Sequence, residues 1–320
     1  TDAEIVIKFG HVDGTTSLLD TPLHAFFEAF KTTVESASSG RITATEYGNS
    51  QLGGATSLFE QNAAGTLEMS IGFSMSSLSA YVPDAMLWDI PYVFSSELTT
   101  QTMLDKYGAE LADQVAAATN VRPYFTAVAM RSFCTTKKQI TDAASFKGLK
   151  LRVQDSPAMV AMLDSLGAAA TVISYTEVYS ALQTGVVDGA EQHPYGLPMA
   201  SWQEVVKYYT LDKYIANISV CAVSESWYQS LSADDQAIVD FAIKQAQRAY
   251  YGVVKANEAN VMKQILDAGV TVYTPTAAEL QSIKDVAQPA VVEYVASQVG
   301  QDKVDQFLAA AAEAEANRGY

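Results

Sequence analysis

Residues 148–153 read Gly-Leu-Lys-Leu-Arg-Val, a Ser156-Pro157 pair follows, and residues 186–190 read Val-Val-Asp-Gly-Ala. The first run is apolar except for Lys150 and Arg152, and its brevity predicts a strand. Ser156-Pro157 opens a helix, because a hydroxyl can accept from free N–H groups there and proline suits the first turn. Gly167 closes that helix, residues 169–173 supply the next strand, 176–184 a short helix, and 186–190 a further strand. Strand, helix, strand, helix, strand predicts a parallel sheet covered by helices.

The same rhythm precedes it. Ile5 to Phe9 predicts a strand, and Asp20-Thr21-Pro22 a helix start. Leu23, Phe26, Phe27, Phe30 and Val34 then recur at spacings of three and four, an apolar stripe facing a core. Gly40 stops that helix, residues 41–47 (RITATEY) are a strand, Gly53 to Ala64 a helix and Leu67 to Phe73 a strand. In both halves a short helix ends in glycine and runs into an apolar-acidic pair: Gly65-Thr66-Leu67-Glu68 and Gly185-Val186-Val187-Asp188. The reading is two similar α/β lobes. Residues 123–135 (PYFTAVAMRSFCT) and 216–224 (ANISVCAVS) are long strand-like runs that would link them as a hinge beside a cleft. Ser232-Ala233-Asp234-Asp235 resembles a capping box before an apolar-periodic stretch to about Ala268, with Gly252 as its internal glycine, which predicts one long bracing helix. The Ala- and Glu-rich tail from Asp302 to Ala314 reads as an exposed helix or a docking element.

The 320 residues are 49% hydrophobic and only 18% charged, a balance that lets a chain bury full cores rather than stay disordered. A net charge of −16 repels phosphate backbones and anionic lipid heads, which argues against nucleic-acid and membrane-surface partners. A small anionic ligand stays compatible, since a cleft can carry a local positive field. No run of 18 apolar residues occurs, so no membrane insertion is expected. The start at Thr1-Asp2-Ala3-Glu4, with neither Met nor a basic leader, reads as a mature chain. Cys134 and Cys221 are the two cysteines, and a bridge or two buried thiols fit equally.

Catalytic templates find little. The histidines are His11, His24 and His193, none in an HExxH setting, and the chain contains no GxGxxG, GxxxxGK[ST] or GxSxG pattern. No metal and no cofactor is expected. A concealed pair among 36 carboxylates keeps a two-domain α/β enzyme acting on a small acidic substrate as the alternative. His24 lies beside the apolar stripe and reads as a helix-surface residue. His11 and His193 follow strand ends, where open α/β sheets take their ligands. Arg152 is the sharpest feature: a guanidinium in an apolar strand calls for a carboxylate, either of a ligand or of the protein itself. Arg131, inside the long run 123–135, poses the same question. Two arginines would present planar donor forks suited to an organic carboxylate.

From Phe125 to Pro194 the sequence resembles the solute-binding proteins of tripartite ATP-independent periplasmic (TRAP) transporters, receptors for dicarboxylates and sialic acid. The likeness is carried by 148–153, Ser156-Pro157, Leu166-Gly167-Ala168 and residues 177–191 (EVYSALQTGVVDGAE). Weaker matches are Gln51-Leu52-Gly53-Gly54, Ile90-Pro91-Tyr92-Val93-Phe94 and residues 227–235 (WYQSLSADD). The resemblance implies an α/β, two-lobed periplasmic-binding-protein-like fold with crossing hinge strands and a long bracing helix. Lobe I would hold 1–128 and 218–256, and lobe II 129–217 and 257–320. It implies a periplasmic receptor that closes on a small organic acid and delivers it to TRAP permease subunits in the membrane. Arg152 would take the ligand carboxylate, Arg131 would be the second arginine, and Tyr175 would pack on the ligand. Gln192 stands where relatives usually offer Asn, with His193 next to it, and Tyr214 where they often carry His. Phe73 and Ser74 would face the cleft from the first lobe, and His11 lies near the same strand ends. A receptor of another transporter type is disfavoured by the Arg152 strand, and a sensory module by the absence of a fused output domain.

Overall fold

The computed structural model describes residues 3–18 and 21–317. Thr1, Asp2 and Asp20, used above for the chain start and the first helix start, lie outside the described residues. The strands are β1 (Ile5–Gly10), β2 (Ile42–Tyr47), β3 (Met69–Ser74), β4 (Val121–Thr135), β5 (Lys150–Val153), β6 (Ala169–Val172), β7 (Gly189–Gln192), β8 (Tyr208–Ser224) and β9 (Thr271–Tyr273). The chain forms two compact units, one of residues 1–74, 108–128 and 218–257, the other of 75–107, 129–217 and 258–320. β4 and β8 each contribute residues to both.

In the first unit β1 pairs in parallel with β2 on one side and β3 on the other, and β3 runs antiparallel to β8. The predicted apolar stripe builds the core beneath β1. On the helix Pro22–Ala37, the rings of Phe26, Phe27 and Phe30 lie 5.8, 5.5 and 5.7 Å from that of Phe9. All four are buried, and a fully buried Phe contributes on the order of 1.5–3 kcal/mol. The helix Ala233–Ala256 covers the same helix, with Tyr250 edge-on to Phe26 at 6.5 Å.

In the second unit the strand order is β8-β4-β7-β5-β6, with β9 alongside β8. β7 is antiparallel to β4 and parallel to β5, and β5 is parallel to β6. The helix Pro157–Ser165 is capped as predicted, Ser156 Oγ accepting from the Met159 amide. Gly185, at φ +75°, ends the helix Val178–Thr184 in the left-handed region that favours glycine. Gly189 serves close packing instead: a Cβ there would stand 2.4 Å from the Cys134 carbonyl oxygen.

Two expectations change. The stretch from Ser232 to Ala268 is two helices, Ala233–Ala256 and Glu258–Asp267, not one. The interruption falls at Asn257, whose side-chain amide donates to the Val253 carbonyl at 3.0 Å, and not at Gly252. Residues 75–107, expected in the first lobe, belong to the second unit. Asp89 bonds Ser156, the Tyr92 amide donates to the Tyr214 carbonyl, and Trp88 meets Phe307. The Ala-rich tail is the helix Gln301–Ala316, and it docks on its own unit by burying Val304, Phe307 and Ala311. Cys134 and Cys221 are both free and buried.

Candidate functional site

Three neighbouring strands of the second unit each bring one charge to a buried cluster: Arg131 on β4, Glu191 on β7 and Arg152 on β5. The strand register accounts for it. Glu191 lies opposite Phe133, so Arg131 is its diagonal neighbour on β4, while Leu151 pairs with Gly189 and sets Arg152 alongside β7. Glu191 Oε2 receives the Nε–H of Arg131, and Oε1 lies 3.4 Å from Arg152 Nη1. Arg131 also donates through Nη1 to Asn217 Oδ1 at 2.7 Å and through Nη2 to the Glu191 carbonyl at 3.2 Å. Arg152 donates through Nε to the Ile173 carbonyl at 2.9 Å.

The two arginines are not equally satisfied. Burial opposes the charge of Arg131, but the Glu191 carboxylate and its hydrogen bond outweigh burial and hold that guanidinium above its ordinary value. Burial pushes Arg152 down to about 10, against the attraction of Glu191 and with the help of Arg131's like charge. Two positive charges thus share one carboxylate. Arg152 commits two of its five N–H groups among the described residues, one of them at the long distance of 3.4 Å.

Around this pair, Tyr214 on β8 donates to Glu191 Oε2 at 2.9 Å and stacks on Phe133 with centroids 4.9 Å apart. Gln192 is buried. Its Oε1 accepts from the His193 amide at 3.0 Å, and its carbonyl accepts from Tyr209 Oη at 2.9 Å. His193 is half-buried and its Nδ1 accepts from the Gly196 amide, while burial and then Arg131 push its imidazole down to about 3, neutral at ordinary pH. Tyr175 is half-buried, its ring 5.8 Å from that of Trp202. Asp89 accepts from Ser76 at 2.6 Å and from Ser156 at 2.7 Å, and burial raises its carboxyl to about 6.

Arg131, Arg152 and Tyr214 therefore converge on one carboxylate, with Gln192 and His193 next in the strand that carries it. The remaining candidates belong to the first unit. His11 is fully buried, with Nε2 2.7 Å from Glu46 Oε1. Phe73 is buried and stacks on Phe59 at 4.3 Å, and Ser74 ends β3 half-buried. Sequence reasoning did not single out Glu191, Asp89 or Asn217. The argument that exposed Arg152, a charge inside a short apolar strand, applies equally to Glu191. Asn217 was visible only as a polar residue inside the long run 216–224.

Comparison with known proteins gives the class of chain in which this buried charge cluster stands. The sequence pattern of the family described as bacterial extracellular solute-binding protein, family 7, matches residues 14–298. The chain belongs to that family, and it is a TRAP-type solute receptor of two-lobed α/β fold rather than an enzyme. It is 30% identical over 250 residues to a solute-binding protein of Chromohalobacter salexigens, covering 77% of this chain and 73% of the other. It is 27% identical to the C4-dicarboxylate-binding periplasmic protein of Rhodobacter capsulatus, over 97% of this chain and 92% of the other. Among solved structures, a TRAP periplasmic solute-binding protein of Roseobacter denitrificans with bound L-galactonate matches with a TM-score of 0.85 at 26% identity. That match covers 96% of this chain and 99% of the other.

Proposed function

We propose that this chain is a periplasmic receptor that holds the carboxylate of a small organic acid at Arg152, beside Arg131, and hands the acid unaltered to a TRAP membrane permease for uptake. The observation that carries the reading is the uneven pairing of the two guanidiniums. Glu191 serves Arg131 closely and Arg152 at 3.4 Å, so a second carboxylate has unfilled N–H donors to meet at Arg152. Because burial already weakens the charged form of Arg152, an incoming anion restores countercharge where desolvation makes it most valuable. The chemistry is recognition alone: a planar fork takes both oxygens, and no bond in the solute changes.

The surrounding groups would choose among acids. Tyr175 offers a ring face, Gln192 a longer amide reach than the usual Asn, and neutral His193 a polar edge without charge. C4-dicarboxylates and sugar acids are the first classes to try, because relatives are named for the former or were solved with the latter.

A thermal-shift screen of organic acids tests the reading, since a ligand that binds only the folded state raises its melting temperature by mass action. The expected result is a saturable, one-to-one upward shift with at least one carboxylate and no product formed on long incubation. Failure of every dicarboxylate, sugar acid and keto acid to shift the melt, or conversion of the acid, contradicts it.

A further inference from the structure

We propose that His24, Glu28 and Glu46, all in the first unit, form a binding site for a divalent first-row transition ion of the Zn2+ kind. His24 and Glu28 stand one turn apart on the helix Pro22–Ala37, so their side chains share a face. Glu46 comes from β2, the strand next to β1 in the sheet on which that helix packs. One ligand atom from each residue falls within 4.8 Å of the others. A small side-chain adjustment brings all three to the roughly 2.0–2.2 Å that nitrogen and oxygen ligands keep from zinc.

The local order around Glu46 supports an ion site rather than a chance meeting of charges. Its Oε1 lies 2.6 Å from His24 Nδ1 and 2.7 Å from His11 Nε2, so a single carboxylate oxygen is aligned by two imidazoles. The side chains of His24 and Glu46 are only 12% and 15% exposed. Their desolvation is largely complete before any ion arrives, and their rotamers are held. His11, fully buried, acts as a positioning residue behind Glu46. Gly48 leaves it the necessary room, since a Cβ there would stand 2.9 Å from His11 Cε1. The Glu28 side chain has no hydrogen bond or ion pair among the described residues. The histidine–glutamate pairs do not use it, whereas an ion does.

The donor set defines the class of ion. One neutral imidazole nitrogen and two carboxylates neutralise a dipositive charge, and imidazole favours zinc, nickel, copper or iron over magnesium and calcium. The ion takes the place of the hydrogen bond between His24 Nδ1 and Glu46, the displaced proton passing to solvent or to His24 Nε2, and water completes the coordination. Because strand and helix are then bridged, the folded state gains stability as the ion concentration rises.

Untagged full-length chain, stripped with a chelator and dialysed, is titrated with ZnCl2 by calorimetry and with CoCl2 by visible absorption. The expected result is one Zn2+ per chain, a Co2+ ligand-field band, and an upward melting shift. Glu28→Gln and His24→Ala should each weaken binding at least tenfold and remove the Co2+ band. Glu28→Gln should leave the ion-free melting temperature and the response to organic acids unchanged. Absence of stoichiometric Zn2+ binding in the wild type, or wild-type affinity in either variant, overturns the proposal.

Discussion

Arg152 and Glu191 sit on adjacent strands with 3.4 Å between Nη1 and Oε1, while the other oxygen of the same carboxylate is taken by Arg131. One acid therefore stabilises two buried cations, and it does so unevenly. Removing it should expose how much of the unit's stability depends on that arrangement. Glu191→Gln leaves two buried guanidiniums without their countercharge, a change expected to cost about 3–5 kcal/mol. Chemical denaturation should show this as a lower midpoint at unchanged slope. An organic acid that binds should restore more stability to the variant than to the wild type. An unaltered midpoint contradicts the pairing.

Asp212 gives a pH signature. Its carboxyl is buried, accepts from the Phe133 amide at 3.1 Å and from Tyr92 Oη at 2.9 Å, and burial raises it from 3.8 to about 7. A group whose value rises on folding binds more protons in the folded state, so its contribution is complete below pH 4 and is lost as pH climbs through 7. The full span is on the order of 4 kcal/mol. Unfolding free energies of wild type and Asp212→Asn, compared between pH 4.5 and 8, should show the wild type losing ground as pH rises. A difference that is flat across that range, or grows with pH, is the wrong result.

The cysteines should be inert in the folded chain. Both are free and buried, and burial pushes Cys134 up to about 12 and Cys221 higher still, leaving almost no thiolate at pH 8. A chromogenic disulfide reagent should therefore detect no fast thiol in native protein and two in denaturant. Rapid native reaction, or fewer than two thiols on unfolding, tells against these placements.

Two glycines should respond oppositely to the same substitution. Gly252 lies exposed in the helix Ala233–Ala256 with nothing within 4 Å of an added Cβ, so Gly252→Ala should stabilise by about 0.5–1 kcal/mol. Gly189→Ala drives a Cβ to 2.4 Å from the Cys134 carbonyl oxygen and should cost about 1–3 kcal/mol or more. Thermal melts of the two variants decide it, and a shift of the same sign in both denies the packing described.

Much of this was legible from residue order because local chemistry and tertiary packing agree. Phe26, Phe27 and Phe30 repeat with the helical period and do meet Phe9, and Ser156-Pro157 and Gly185 mark real helix ends. Where packing decides alone, order was silent. Nothing in the string from Ser232 to Ala268 announces that the helix ends at Asn257, since Asn is tolerated inside helices as well as at their ends. Residues 75–107 lack a long apolar run, so their allegiance to the second unit rests on contacts such as Asp89 to Ser156, 67 positions away. β8 begins eight residues before the predicted run because Asp212 and Lys213 break its apolar pattern, although Asp212 is buried and bonded. At the site, Arg152 and Arg131 were visible as charges in apolar strands. Their partner Glu191 directly follows the predicted strand 186–190 and was open to the same argument, but its dual role needs three strands to be seen side by side.

Calorimetric titration of wild type, Arg152→Ala and Arg152→Lys with whichever organic acid gives the largest thermal shift addresses the central claim most directly. Loss of the buried charge partner should weaken binding by about 2–5 kcal/mol in the alanine variant, roughly 30-fold to several thousand-fold. Lysine, which keeps the charge but not the fork, should recover only part of that loss. All three proteins should remain folded by circular dichroism. An alanine variant that binds within threefold of the wild type would show that Arg152 serves the protein's own Glu191 and not an arriving acid.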